Sequence, residues 1–191
     1  MMLRTAVAAL VFGAGIAVAP ASAHAAPAFT ISDSFEDTAS SAAADRWFPD
    51  GAGPGVRHSY LQPYDPPSAN TGTQFAHLSS TGTETWVSIG RSVRIPATYP
   101  RCTARMAVDT IWGDKAHAEV WYQIEVIDAA TWTYITTKAA IGNEHDGGYH
   151  NLTSPGFAAG GRTVFIRLVM TSLYSSVSWV NVDDLYVLCT A

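Results

Sequence analysis

Lysine is nearly missing: Lys115 and Lys138 are the only two in 191 residues, and the cationic total of 11 stands against 16 aspartates and glutamates. No basic block interrupts the chain, which excludes nucleic acid and anionic membrane surfaces as partners, since both demand a basic face. Cysteine is as scarce. Cys102 and Cys189 make up the full complement, and without a Cys-x-x-Cys spacing neither a zinc site nor a dithiol redox site is expected. Beyond the N-terminus no apolar run approaches the ~20 residues that cross a bilayer, and no window of about 11 residues carries the 3.6-residue helical period. Gly-x-Ser-x-Gly, His-Glu-x-x-His and phosphate-loop motifs are missing as well. His58, His77, His117, His145 and His150 never fall at metal-ligand spacing and read as loop or surface residues. Glu125 and Asp128 lie too close along one strand and turn to serve as a glycosidase pair, whose carboxyls stand ~5–10 Å apart across a cleft. With no acid/base constellation to name, catalysis is not expected.

What is present begins with a leader. Met1-Met-Leu-Arg4 carries one positive charge and is followed by an apolar stretch over 6–19, then Pro20 and small residues, the pattern of a secretory signal peptide. Cleavage is expected after Ala23 or Ala25. Taking 1–25 as the leader leaves 166 residues, 26–191, at a formal charge of −6 in place of −5 because Arg4 is lost. That length suits one domain with a proper core. Export to an oxidising compartment and an even cysteine count imply a Cys102–Cys189 disulfide. Few lysines and 11% aromatics suit a secreted, monomeric domain that binds neutral ligands.

The elements read as strands separated by Gly, Pro, Asn and Ser. An entry strand covers 28–31 and 34–36 with Phe35 inward, and Trp47 caps the core. Residues 49–70 carry seven glycines and prolines between Gly51 and Pro67 and no strand pattern, so they read as a long loop. Strands follow at 74–79, 86–93, 103–109, 118–128, 132–137, 149–152, 164–171 and 178–188, with 128–131 as a hairpin turn. Eight or nine strands at this spacing make an all-β protein, an antiparallel two-sheet sandwich.

The last strand holds two adjacent carboxylates, Asp183 and Asp184, inside a run that is largely apolar on both faces. Strict alternation places Trp179, Asn181, Asp183, Leu185 and Val187 on one face and Val180, Val182, Asp184, Tyr186 and Leu188 on the other. An unpaired charge in such a strand costs several kcal/mol or more. With cationic side chains scarce, a divalent cation is the expected partner, shared with the opening cluster Asp33-Ser-Phe-Glu-Asp37. The alternative is that Asp183 or Asp184 accepts backbone N–H bonds at a strand end.

The order of pieces resembles a known family. Ser34-Phe-Glu36, Trp47, the Gly72, Ala76, Leu78 strand, the Ser88, Gly90, Val93 strand, the Phe157, Ala159, Gly160 element and the closing Val182-Asp-Asp-Leu185 are similar to the β-jelly-roll carbohydrate-binding modules attached to bacterial xylanases and glucanases, sandwiches of the galactose-binding-domain type. The resemblance spans residues 32–188. It implies a jelly-roll sandwich and a structural calcium ligated by Glu36, Ser34, the turn from Asn70 to Thr73, and Asp183. Six to eight oxygen ligands from separate loops suit Ca²⁺.

A ligand face in such a fold is built from the outward positions of one sheet. Trp86, Trp121, Gln123, Glu125, Arg167 and Trp132 or Tyr134 are the candidates, because sugars present apolar C–H faces to planar rings and hydroxyls to amide, carboxylate and guanidinium groups. The expected partner is a neutral glycan on the concave sheet. A protein ligand on an exposed aromatic patch of the same fold is the alternative, and a jelly-roll hydrolase or lyase the third possibility.

Overall fold

A computed structural model of the chain describes residues 28–36, 47–51, 55–58, 69–80, 86–112, 120–142, 148–172 and 178–191. The leader, with both cleavage points, lies outside them, as do residues 59–68 of the long loop. Twelve strands occur among the described residues: β1 (Ala28–Asp33), β2 (Phe48–Gly51), β3 (Gly55–His58), β4 (Gln74–Ser80), β5 (Trp86–Arg94), β6 (Arg101–Trp112), β7 (Val120–Asp128), β8 (Thr133–Gly142), β9 (His150–Thr153), β10 (Phe157–Ala158), β11 (Thr163–Ser172) and β12 (Ser178–Thr190). Among the same residues no helix is long and apolar enough to cross a membrane.

The strands form two antiparallel sheets. The seven-stranded sheet runs β10-β6-β12-β4-β3, with β1 also on β12 and β9 also on β6; the five-stranded sheet runs β2-β5-β11-β7-β8. Alternating β-branched and aliphatic residues on β5, β7 and β11 turn Val87, Ile89, Tyr122, Ile124, Val126, Ile166, Leu168 and Met170 into the space between the sheets. Ala76, Leu78, Met106, Val108, Val180 and Val182 meet them from the other side. Each fully buried aliphatic side chain contributes roughly 1.5–3 kcal/mol by leaving water. Cys102 and Cys189 face each other in register on β6 and β12 and are bonded.

Three of the twelve strands were not legible as strands. β2 and β3 fall within the segment read as loop, and β10 is two residues long. All three sit at sheet edges, where backbone pairing on one side suffices and side-chain alternation is not required. Pro49 is tolerated in β2 because that strand is the outer edge of its sheet. The entry strand stops at Asp33. Phe35 then takes a left-handed backbone, φ 63°, with its N–H bonded to Asp33 Oδ1 at 3.2 Å, and its ring stacks on Trp47 at 4.1 Å.

Alternation along β12 also breaks. Between Asp183, opposite Ala107, and Tyr186, opposite Arg105, β12 advances three residues while β6 advances two. Asp184 and Leu185 therefore oppose the single Met106 as a β-bulge, immediately after Asp183, with Asp184 at φ 46°. Val180 and Val182 point inward before it, Leu185, Val187 and Cys189 after it, so the single-phase assignment of faces is corrected at this point. Because both faces of the strand are apolar, the shift of phase left no mark on the hydropathy pattern.

Candidate functional site

Two places in the fold concentrate polar side chains. The first is the outer face of the five-stranded sheet. Core residues occupy the inward positions of β11, so Phe165, Arg167, Val169 and Thr171 point out. Arg167 lies opposite Gly90 on β5 and Glu125 on β7, and its Nε donates to Glu125 Oε2 at 2.6 Å. Glu125, almost wholly buried, also accepts from Gln123 Nε2. The Arg167 guanidinium stands 5.8 Å from the Trp86 ring centroid. Trp86, Glu125, Tyr134, Arg167, Val169 and Thr171 line an open depression of about 270 Å³.

Aromatic side chains are exposed around it. Tyr134 is 60% and Trp132 64% exposed. The Trp132 ring meets Phe165 at a tilt, centroids 5.5 Å apart, and Phe48 approaches the same Phe165 ring at 6.1 Å. Of the six residues expected to bind ligand, Trp86, Glu125 and Arg167 line the depression. Trp121, Gln123 and Trp132 share its face without lining it. Trp132 is not in a strand, as expected from sequence, but in the β7–β8 turn with φ 55°. Its N–H bonds to Asp128 O at 2.8 Å, and Ala130 N–H bonds to Asp128 Oδ1 at 2.9 Å, a turn opened by an Asx contact. Phe48, Phe165, Val169 and Thr171 were missed as site residues. Period-2 alternation along 164–171 is the signal that could have found the last three, which share the phase of Arg167.

The second place is the junction of β12 with the turn at residues 70–73. Asp183 is 0% exposed. Its Oδ2 accepts from Thr71 N–H at 3.1 Å and its Oδ1 from Asp184 N–H at 2.8 Å. Asp184 accepts from Asn70 Nδ2 and from the Thr71 hydroxyl, each at 2.6 Å. Glu36 reaches the other end of the turn, where its Oε1 accepts from Thr73 N–H at 2.7 Å and Gln74 N–H at 2.8 Å, and its Oε2 from the Thr73 hydroxyl at 3.2 Å. The opening and closing acidic clusters thus meet on one turn, and backbone N–H groups donate to the carboxylates there. Asp33 goes elsewhere and pairs with Arg91. Ser34 lies between Asp33 and the left-handed Phe35; Asp37 falls outside the described residues.

No cationic side chain faces Asp183 among the described residues. Burial, with the neighbouring Asp184 charge added, pushes its carboxyl up to about 7 against the backbone N–H bonds of Thr71, Asp184 and Asn70. Burial and then the charges of Asp183, Asp109 and Asp184 push the Tyr149 phenol up as well. Among the described residues no three His, Cys, Asp or Glu side chains converge closely enough to hold an ion by themselves. The donor set at the turn is oxygen alone; Glu36 and Asp183 each meet three N–H or O–H donors and Asp184 meets two side-chain donors, against about four lone-pair sites on a carboxylate. These features fit a hard divalent cation completed by backbone oxygens.

Gly72 makes the junction possible. It sits at φ +65°, and a Cβ there would lie 2.2 Å from Glu36 Cδ. Gly72→Ala is expected to cost at least ~1–2 kcal/mol from the backbone alone and to expel the Glu36 carboxylate from Thr73 and Gln74. A fall in melting temperature of roughly 3–8 °C follows for a domain of this size; a melt within 1 °C or so of the parent by scanning calorimetry would show that Glu36 is not held as described.

His77 and His150, read from sequence as loop or surface residues, are strand residues with bonded rings: His77 Nδ1 with Asn181 Oδ1 at 2.8 Å, and His150 Nε2 with the Tyr122 hydroxyl at 2.7 Å. Neither takes part in the two places above.

No protein-family model matches the chain, and no curated protein matches it. Solved structures do. The CBM22-1 xylan-binding domain of Paenibacillus barcinonensis Xyn10C superposes at TM-score 0.53, with 16% identity over 87% of this chain and 98% of that one. The module TmCBM61, solved with β-1,4-galactotriose, gives TM-score 0.51 at 14% identity over 74% of this chain and 86% of that one. The α-L-arabinofuranosidase MgGH51, solved with arabinose, gives 0.50 at 10% identity over 78% of this chain, which spans 24% of that enzyme. The fold is that of the β-sandwich carbohydrate-binding modules, built here with a disulfide between its longest strands.

Proposed function

We propose that the protein is a secreted, non-catalytic carbohydrate-binding module that holds a neutral glycan on the outer face of its five-stranded sheet and is stabilised by one calcium ion. The observation that carries this reading is the depression in which an exposed indole and phenol, Trp86 and Tyr134, flank the Arg167–Glu125 pair. Stacking platforms beside fixed hydrogen-bonding groups are the chemistry a sugar ring uses. Neutrality of the ligand follows from that pair: the guanidinium charge is compensated by Glu125, so the floor has little preference for either sign. The likeness to carbohydrate-binding modules supports the reading at the level of the fold. Glu125 is engaged by Arg167 and Gln123 and has no second carboxylate among the lining residues, which favours binding over hydrolysis. The disulfide supports export.

Calcium would be held by Glu36 and Asp183 with backbone oxygens of Ser34 and of the turn at Asn70 and Thr73. When bound it supplies positive charge to a buried carboxylate and ties both ends of the domain to one turn.

Retention on insoluble neutral polysaccharides and a glycan array test the sugar. Binding to at least one glycan is expected, weakened roughly 3- to 10-fold in Trp86→Ala. Absence of retention on every glycan would remove the sugar reading and leave the exposed aromatic face to a protein ligand.

A further inference from the structure

We infer that the outer face of the seven-stranded sheet, at the end that carries the disulfide, is a second binding surface that takes an acidic polysaccharide, a chain whose sugar residues carry carboxylates. The inference goes beyond the neutral ligand of the depression, which lies on the other sheet.

Inward packing of Cys102, Ala104 and Met106 on β6, and of Leu185, Val187 and Cys189 on β12, turns the residues between them outward. Arg105 lies opposite Tyr186 on one side and Thr153 of β9 on the other, and Tyr186 lies opposite Ser32 of β1. These four make one row across four strands. The next rows hold Thr30, Leu188 and Thr103, then Thr190 and Arg101. Tyr186 and Leu188 are half-buried and the others are exposed.

The face is cationic in an acidic protein. Arg91, Arg162 and Arg167 each pair with a carboxylate, whereas no carboxylate stands within ion-pair distance of Arg101 or Arg105 among the described residues. Asp183 and Asp184 lie on the far side of the bulge, held by Asn70 and Thr71. The Arg105 guanidinium stands 4.5 Å from the Tyr186 ring centroid, and a guanidinium so supported presents a planar fork to a carboxylate. Arg101 and Arg105 are four residues apart on one strand, ~13 Å at ~3.3 Å per residue. One acid group cannot reach both, so the ligand is a chain.

The rest of the face tells which chain. Its hydroxyl side chains, Thr30, Ser32, Thr103, Thr153 and Thr190, both donate and accept, as the hydroxyls of a sugar do. None of the large exposed apolar side chains, Phe48, Trp86, Trp132, Tyr134 and Ile141, lies here. Without such an anchor a protein interface lacks its apolar core, which favours an acidic glycan over an acidic protein.

Titration calorimetry at low salt with short oligogalacturonides, with the same oligomers methyl-esterified, and with poly-L-glutamate, calcium held constant throughout, tests this. The oligogalacturonides are expected to bind, more weakly as salt rises, and the neutral esters not to bind. Arg101→Gln and Arg105→Gln, both at exposed positions, are each expected to lower the affinity roughly 2- to 5-fold and together roughly 5- to 20-fold, with retention on neutral polysaccharides unchanged from the parent. Circular dichroism confirms that the variants are folded. No binding of the oligogalacturonides, equal binding of their esters, or binding indifferent to both arginine substitutions overturns the proposal. Poly-L-glutamate bound as tightly through the same arginines also overturns it and assigns the face to an acidic protein. The reading of the depression is tested separately, by retention of the parent protein on neutral polysaccharides.

Discussion

Chelation of divalent cations is expected to lower the melting temperature of the domain by roughly 5–10 °C. A ligand that binds only the folded state stabilises by about 2.7 kcal/mol when present at a hundred times its dissociation constant, and each kcal/mol moves the melt by roughly 2–4 °C at this size. Asp183→Ala and Glu36→Ala are expected to abolish the difference between calcium and chelator. The geometry behind this is the fully buried Asp183, with N–H donors and no cationic side chain against it among the described residues. The dependence on pH gives a second readout. Without the ion, the Asp183 carboxyl is raised from its ordinary 3.8 to about 7, so the folded state holds a proton that the unfolded state has released. The stability this contributes is fully present below about pH 4 and is lost as pH rises through about 7. The chelated protein should therefore melt higher at about pH 5.5 than at about pH 8, while the increment due to calcium shrinks over the same fall in pH because protons compete for the site. A melt indifferent to calcium at both values would remove the ion from this turn.

Where side-chain alternation is clean, the structure follows it. The inward set on β5, β7 and β11 is apolar except at Arg91, which pairs with Asp33 and faces Trp47, and the outward set, with Trp86, Gln123, Glu125 and Arg167, could be placed on one face from spacing alone. The acidic junction was legible in part: the partners at Glu36, Asp183 and the 70–73 turn are the ones observed. Its construction was not. A bulge shifts the phase of a strand by one residue, and in a strand apolar on both faces that shift changes nothing in the pattern of hydropathy. Left-handed backbone at Phe35, Trp132 and Asp184 was equally hidden. Such conformations are imposed by tertiary contacts, here the ring contacts of Phe35 with Trp47 and of Trp132 with Phe165 and the hydrogen bonds of the turn, against the preference of the residue itself. The edge strands β2, β3 and β10 carry no periodic signal because one row of backbone bonds defines them.

Replacing both cysteines, Cys102→Ala with Cys189→Ala, is expected to lower the melting temperature by roughly 10–20 °C. The bridge closes a sequence separation of 87 residues, and the chain-entropy account assigns about 4–5 kcal/mol to such a closure, converted at roughly 2–4 °C per kcal/mol. The loop it closes is not peripheral. It contains β7, β8 and β11, three of the five strands of the sheet that bears the aromatic depression, and it returns through β12, which pairs with β1, β4 and β6. In the unfolded chain the bridge therefore keeps the two long neighbours β6 and β12 together across every element that must fold between them. Because that restriction acts on the unfolded ensemble, the double variant should also expose more surface on unfolding and show a steeper dependence on urea. A large fall in melting temperature with an unchanged urea slope would assign the effect to packing of the buried sulfurs within the core of the folded state instead. A melt unchanged by the substitutions would mean that pairing of β6 with β12 is strong enough to hold that end of the sandwich without the covalent link.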